Sequence, residues 1–203
     1  MSESAPLLLV GVWTSLWCVW HSLLATHRWR ELVLRLFPRW HVFSRALYVA
    51  GSTLTLAVLM VWILSLPERM LWDWTGVWAY ARWLGLAEAA FLFWTGLRAH
   101  DNRHFLGLSQ LRDHALGRET AEPPFRADGI LAVIRHPWYS GTLLLLVFCL
   151  PWTDVNLVWR GVFFAYTLIG CELEERKLVR DLGAPYADYR RRVGRYWPRR
   201  RSR

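Results

Sequence analysis

Two uncharged apolar runs, residues 6–25 and 46–66, are each as long as a bilayer's hydrocarbon core is thick. A membrane-crossing helix needs about 20 such residues. A third run, residues 77–97, is interrupted only by Arg82 near one end and Glu88 inside. A fourth, residues 130–152, is broken by Arg135, His136 and Pro137. After the turn PWTDVN comes residues 157–171, a run of only 15 residues. At 1.5 Å per residue it covers roughly 22 Å, short of a core of about 30 Å. The pattern predicts an all-α, polytopic membrane helix bundle of about five transmembrane helices, the last two forming a hairpin.

Charge sets the orientation. The chain of 203 residues carries a formal net charge of +9, with 54% hydrophobic residues. Basic nucleic-acid binders lack long uncharged apolar runs, so no nucleic-acid partner is expected and the charge reads as membrane topology. The first connection holds Arg28, Arg30, Arg35, Arg39 and Arg45; residues 98–135 and the tail RRVGRYWPRRRSR are again Arg-rich. The second connection, PERMLWDWTG, and the fourth, PWTDVN, carry few basic residues. The positive-inside rule then places the N-terminus outside and the C-terminus in the cytoplasm. Trp13, Trp72, Trp74, Trp78 and Trp152 suit interfacial belts, and the tail is expected against anionic headgroups of membrane lipids. The first run lacks a basic leader and a small-residue cleavage site, so it reads as a retained helix. One membrane domain is expected over 1–203: spans over 1–97, a cytoplasmic loop over 98–129, and a hairpin with cofactor-binding part over 130–203.

The fifth run continues as CELEERKLVRDLGAPY. Gly183 and Pro185 predict a helix stop, so one helix runs from about 157 to 182. Phe164, Leu168, Cys171, Leu178 and Leu182 form its apolar stripe, with Glu175 inside it and Glu172 and Glu174 on its edges. A carboxylate in a packed face needs a cation or several donors. Two readings stay open for Glu175: an ion pair with Arg135, or a site for a ligand's ammonium. Pro137 frees backbone groups next to Arg135 and His136, which suit a carboxylate, and Gly141 permits close approach. The two charge sets together fit an amino-acid moiety.

The elements DGILAVIRHPWYSGTLLLL and LEERKLVRDLGAPYADYRRRVGRYWP resemble the C-terminal signature of isoprenylcysteine carboxyl methyltransferases and related membrane methyltransferases. The matching elements are RHPxYxG, a Glu-Glu pair, Gly-x-x-Tyr-x-x-Tyr and a closing proline, over roughly 125–198. The N-terminal WHSLLATHRW is similar to the NnrU and methanethiol S-methyltransferase branch. The resemblance implies a cytoplasmic, helical C-terminal pocket for S-adenosylmethionine. Arg135, His136, Tyr139 and Gly141 would line it, Glu174 and Glu175 would hold the ammonium, and Tyr186, Tyr189 and Arg190 would cap it. Arg135 and Glu175 are the candidate catalytic pair. The implied acceptor is a small thiol, a carboxylate or another lipophilic molecule, with Arg98, Arg103, Arg112 and His104 available to orient or deprotonate it. The full pattern of an isoprenylcysteine site is missing, which argues against a prenylated protein substrate.

Other features leave alternatives. Cys18, Cys149 and Cys171 form no CxxC and read as small buried hydrophobes, with no metal site expected. Glu88 is either a substrate-pocket residue or a protonated or Arg-paired acid. His21, and His100 with His104 at i, i+4, allow a haem-binding reading, since the NnrU branch includes a haem-binding carotene isomerase. A non-enzymatic membrane scaffold is the third reading. It leaves Glu175 unexplained.

Overall fold

A computed structural model describes residues 4–38 and 41–199. Arg39 of the first basic connection and residues 200–203 of the tail lie outside them, as does the side chain of Arg30. The chain forms two compact units. The first holds residues up to Glu68 together with Asp101–Pro124; the second holds Arg69–His100 and the chain from Phe125 onward.

In the first unit, α1 (Ser4–Leu24) packs beside α3 (Ser44–Leu64), and α2 (His27–Leu36) lies between them in sequence. The helical stretches Ala5–Leu24 and Ser44–Leu64 are long and apolar enough to cross a membrane. Their contact includes a Trp17 Nε1–H to Thr55 Oγ1 bond of 3.1 Å and a 2.9 Å contact between Tyr48 Oη and His21 Nε2. Short helices α5 (Asn102–Phe105) and α6 (Leu108–Ala115) complete the unit.

The second unit is built on α4 (Val77–Ala99), α7 (Pro137–Phe148), α8 (Asp154–Leu182) and α9 (Ala184–Arg192). The seam between α4 and α7 is made of small residues. A Cβ on Gly85 would meet the Phe148 ring, and one on Gly96 the Trp138 ring. Gly141 lies 3.3 Å, at its virtual Cβ, from Ala89 O and the Phe93 ring. Small side chains let two apolar helices approach closely and extend their packing contact.

The apolar stretch 130–152 is not one helix. A 3₁₀ turn at Gly129–Ala132 precedes a break, and α7 begins at Pro137, which fits the first turn because its missing N–H has no partner there. With 12 residues, α7 is about 18 Å long. A helix that stops so early leaves its last carbonyls needing donors. Four side chains supply them. Arg82 donates from Nε to Phe148 O at 3.2 Å and from Nη2 to Cys149 O at 2.9 Å. Trp74 Nε1 donates to Leu150 O at 3.1 Å. Asn156 and the buried Arg160 both donate to Pro151 O. Two guanidinium groups at a helix C-terminus also oppose its negative dipole end. The second and fourth sequence connections meet here: β1 (Met70–Trp72) pairs antiparallel with β2 (Trp152–Thr153).

The stripe of α8 that is buried differs from the apolar one. Asn156, Arg160, Phe163, Thr167, Cys171 and Glu175 are buried, while Phe164 and Leu168 are 38% and 37% exposed. Over residues 157–171 the helix is apolar nearly all round, so hydrophobicity does not single out the packed face there; the polar residues do, because only they need partners. Glu175 sits in the buried stripe, as its spacing predicts. Gly183 ends α8 with φ of +64°, a left-handed value that glycine adopts without steric penalty.

Candidate functional site

The break before α7 and the far end of α8 meet in the second unit, and a turn after α9 closes over both. Glu175, with no exposed side-chain surface, accepts from Arg135 Nε at 2.7 Å and from Arg195 Nη2 at 2.7 Å. His136 Nε2 lies 3.2 Å from the same carboxylate. Of the two readings of Glu175, the ion pair with Arg135 is the one present. Burial alone would raise the pKa of Glu175. The bonds from His136, Arg135 and Arg195 outweigh it and hold the carboxyl down at about 2.

Backbone fixes these cations. Ile134 and Gly194 form a parallel bridge; Arg135 N–H donates to Gly194 O at 2.9 Å and His136 N–H to Arg195 O at 3.2 Å. The Arg135 guanidinium also donates to Arg190 O at 3.0 Å and to Val193 O. Ser140 Oγ donates to Tyr196 O at 2.9 Å. Gly194 is required by the tightness of this turn: a Cβ there would overlap Trp197 O. Residues 193–197 are therefore a strap docked on the break, where the sequence suggests a tail on headgroups. Arg195 spans Glu172, at 2.8 Å, and Glu175.

Arg195, Ser140 and the strap carbonyls escape the sequence reading. An arginine run looks the same whether its members are solvated or paired. The one available signal is Gly194 standing before Arg195-Tyr196 and Pro198.

The remaining predicted residues divide. Tyr139 packs against α8 at Gly170, with its hydroxyl beside the Glu174 carboxylate. Glu174 itself is exposed. Tyr186 and Tyr189 are buried at 2% and 4% exposure, and their rings meet Phe125 edge-on. Tyr189 Oη donates to Leu131 O at 2.5 Å, whereas Tyr186 Oη has no hydrogen-bond partner among the described residues. Burial pushes the Tyr189 phenol up to about 12, so it stays a donor. Gly141 faces α4, so its lack of a side chain serves the helix seam.

Two expectations change, for Glu88 and for the His100–His104 pair. Glu88 is exposed on α4 and has no salt bridge among the described residues, so no arginine pairs with it there. His100 and His104 do not share a helix. Asp101 caps α5 by accepting from His104 N–H at 2.9 Å, and His100 caps the end of α4. His100 Nδ1 contacts Gly96 O at 2.9 Å, while His104 pairs with Glu122. His21 uses Nε2 on Tyr48 within the first unit, the hydrogen-bonded arrangement open to a histidine between helices. Of the four residues suggested for handling an acceptor, Arg98 belongs to the second unit, where it lies over the Trp94 ring. Arg103, His104 and Arg112 belong to the first.

The chain is 30% identical to a methanethiol S-methyltransferase of a Pseudomonas species, over 95% of this chain and 74% of that protein. It is 29% identical to methanethiol S-methyltransferase 2 of Bradyrhizobium diazoefficiens, over 91% and 70% of the two chains. The methanethiol S-methyltransferase of Mycobacterium tuberculosis is 27% identical over 97% and 79%. No family model matches the chain, and no solved structure matches it. A helical protein whose relatives align along nearly its whole length in this way is a methyltransferase. It belongs to the methanethiol S-methyltransferase family.

Proposed function

We propose that the protein is an integral membrane enzyme that transfers a methyl group from S-adenosylmethionine to a small thiol, methanethiol being the acceptor suggested by its relatives' names. Five spans with the N-terminus outside would put the break before α7, the end of α8 and the strap on the cytoplasmic side. The observation that carries the reading is the juxtaposition of a fully paired Glu175, an exposed Glu174 and a buried Tyr186 hydroxyl with no hydrogen-bond partner among the described residues. Such a set fits an amino-acid end. Glu174 is exposed and can meet an ammonium beside the Tyr139 hydroxyl, Tyr186 can donate to an oxygen, and Arg195 retains 32% of its side-chain surface for a carboxylate.

When bound, S-adenosylmethionine supplies an electrophilic methyl carbon on a sulfonium. The chain's own task is positioning and exclusion of water, which lower the barrier of an in-line transfer. Arg135 and Glu175 act through geometry: they lock the break to α8 and hold Tyr139 and Glu174 in register. Only the acceptor's thiolate is a good nucleophile, so the thiol proton must leave before the methyl group is transferred.

The test is methyl transfer by the purified protein from methyl-labelled S-adenosylmethionine to methanethiol, read as labelled dimethyl sulfide in the headspace. Label in that product supports the reading. Label found only in lipid or carboxylate acceptors, or no transfer by folded protein, refutes the small-thiol assignment.

A further inference from the structure

We infer that α2 is an interfacial helix whose partner is an anionic lipid surface. Trp29, Leu32, Val33 and Leu36 fall at i, i+3, i+4 and i+7, one continuous stripe of the helix. Arg28, Glu31 and Arg35 lie on the other side at i, i+3 and i+7. The stripe is not buried in the protein. Trp29 is 40% exposed, Leu32 43% and Leu36 60%, with Phe37 just beyond at 57%. A ten-residue helix with a basic polar face and an open Trp-Leu face matches a segment lying in the headgroup plane.

Position in the chain makes that plane the available one. α1 ends at Leu24 and α3 starts at Ser44, so α2 is tied between the adjacent ends of the two helices able to cross a membrane. The corner from α1 to α2 is fixed by one hydroxyl. Thr26 Oγ1 donates to Leu23 O at 2.7 Å, in the last turn of α1, and accepts from Trp29 N–H at 3.2 Å, in the first turn of α2. Thr26 is thus the N-cap of α2 and the clamp on α1 together. The arginines explain the lipid charge: guanidinium groups flanking an apolar stripe at the surface are attracted to anionic headgroups, a term that salt screens.

The inference rests on the membrane reading above, and the experiment separates the two. The full chain carries one nitroxide at Leu32→Cys, Leu36→Cys, Glu31→Cys or Val61→Cys, in vesicles of phosphatidylcholine with or without phosphatidylglycerol. The unsubstituted parent's own labelling is subtracted. Collision with oxygen reports lipid, and collision with a water-soluble nickel chelate reports solvent. Val61, 71% exposed on α3, is the control for the spans. The expected result is an oxygen-to-nickel ratio several-fold higher at positions 32, 36 and 61 than at 31. In phosphatidylglycerol vesicles, adding Arg28→Glu and Arg35→Glu lowers the ratio at 32. Nickel access at 32 equal to that at 31, or shielding of 32 and 36 from both agents, overturns the interfacial helix while 61 still reports lipid. Insensitivity of position 32 to lipid charge and to the arginine changes overturns the anionic partner. Nickel access at 61 refutes the membrane reading itself.

Discussion

Arg135 and Glu175, 40 residues apart in sequence, meet with Nε 2.7 Å and Nη2 2.5 Å from one carboxylate oxygen, Oε1. Arg195 takes the other oxygen, Oε2, at 2.7 Å. The break before α7, the helix α8 and the C-terminal strap are joined through this one side chain.

Removing Arg135 leaves the buried Glu175 with His136 and Arg195 only, a loss that approaches but stays below the ~3–5 kcal/mol of a fully stranded charge. Arg135→Ala should therefore unfold in detergent well below the parent temperature. The double replacement Arg135→Met with Glu175→Leu should recover part of the loss, because no carboxylate is left buried, Arg195 keeps Glu172, and His136 can lose its proton. Strictly additive losses in the two single variants and the double would contradict the pairing.

Gly194→Ala forces a Cβ against Trp197 O and should release the strap, at about 1–3 kcal/mol. Trypsin cleavage at Arg190, Arg191 and Arg192 should accelerate. Gly161→Ala is the matched control: nothing lies within 4 Å of its virtual Cβ, and alanine favours helix there by about 1 kcal/mol. Equal cleavage rates in the two variants would rule out the docked strap.

Acid should weaken the second unit in a defined window. Glu175 has a folded pKa of about 2, below its ordinary 4.5. A depressed carboxylate stabilises fully above its unfolded pKa, and the stabilisation is lost as pH falls through the folded one. By linkage the loss is of order 3 kcal/mol between about pH 4.5 and pH 2. Unfolding followed by tryptophan fluorescence should show this acid limb in the parent. Glu175→Gln should flatten it while starting from a lower plateau.

Arg82 tests why a short helix is tolerated. Its two bonds to Phe148 O and Cys149 O stand in for a missing turn of α7. Charged hydrogen bonds of this kind contribute about 1.5–3 kcal/mol. Arg82→Ala should lose that much stability, and Arg82→Lys should keep part of it by reaching one carbonyl. Unchanged unfolding in Arg82→Ala would mean that Trp74 and Arg160 suffice.

Much of this arrangement was legible in the sequence. The two uninterrupted apolar runs became α1 and α3, and Gly183-Ala184-Pro185 ended α8 where turn chemistry requires. The RHP break and Glu175 were brought together because a carboxylate in a packed stripe demands a cation. What was not legible has one physical root: apolar and basic residues carry little information about partners in this chain. Phe164 and Leu168 point outward although they extend the apolar stripe, and Thr167 and Arg160 mark the packed face. Arg195 is indistinguishable by type from Arg191 and Arg192. The histidines at 100 and 104 have helical spacing, but Asp101 starts a new helix between them.

The most direct test is equilibrium binding of labelled S-adenosylmethionine to the purified parent, Glu174→Gln and Tyr186→Phe. Both side chains are free of ion pairs and hydrogen bonds to described residues, apart from the Tyr139 hydroxyl beside Glu174, so the variants should unfold as the parent does. The account predicts micromolar binding by the parent and at least tenfold weaker binding by each variant, about 1.4 kcal/mol. A folded parent that does not bind, or variants that bind as tightly as the parent, would contradict it.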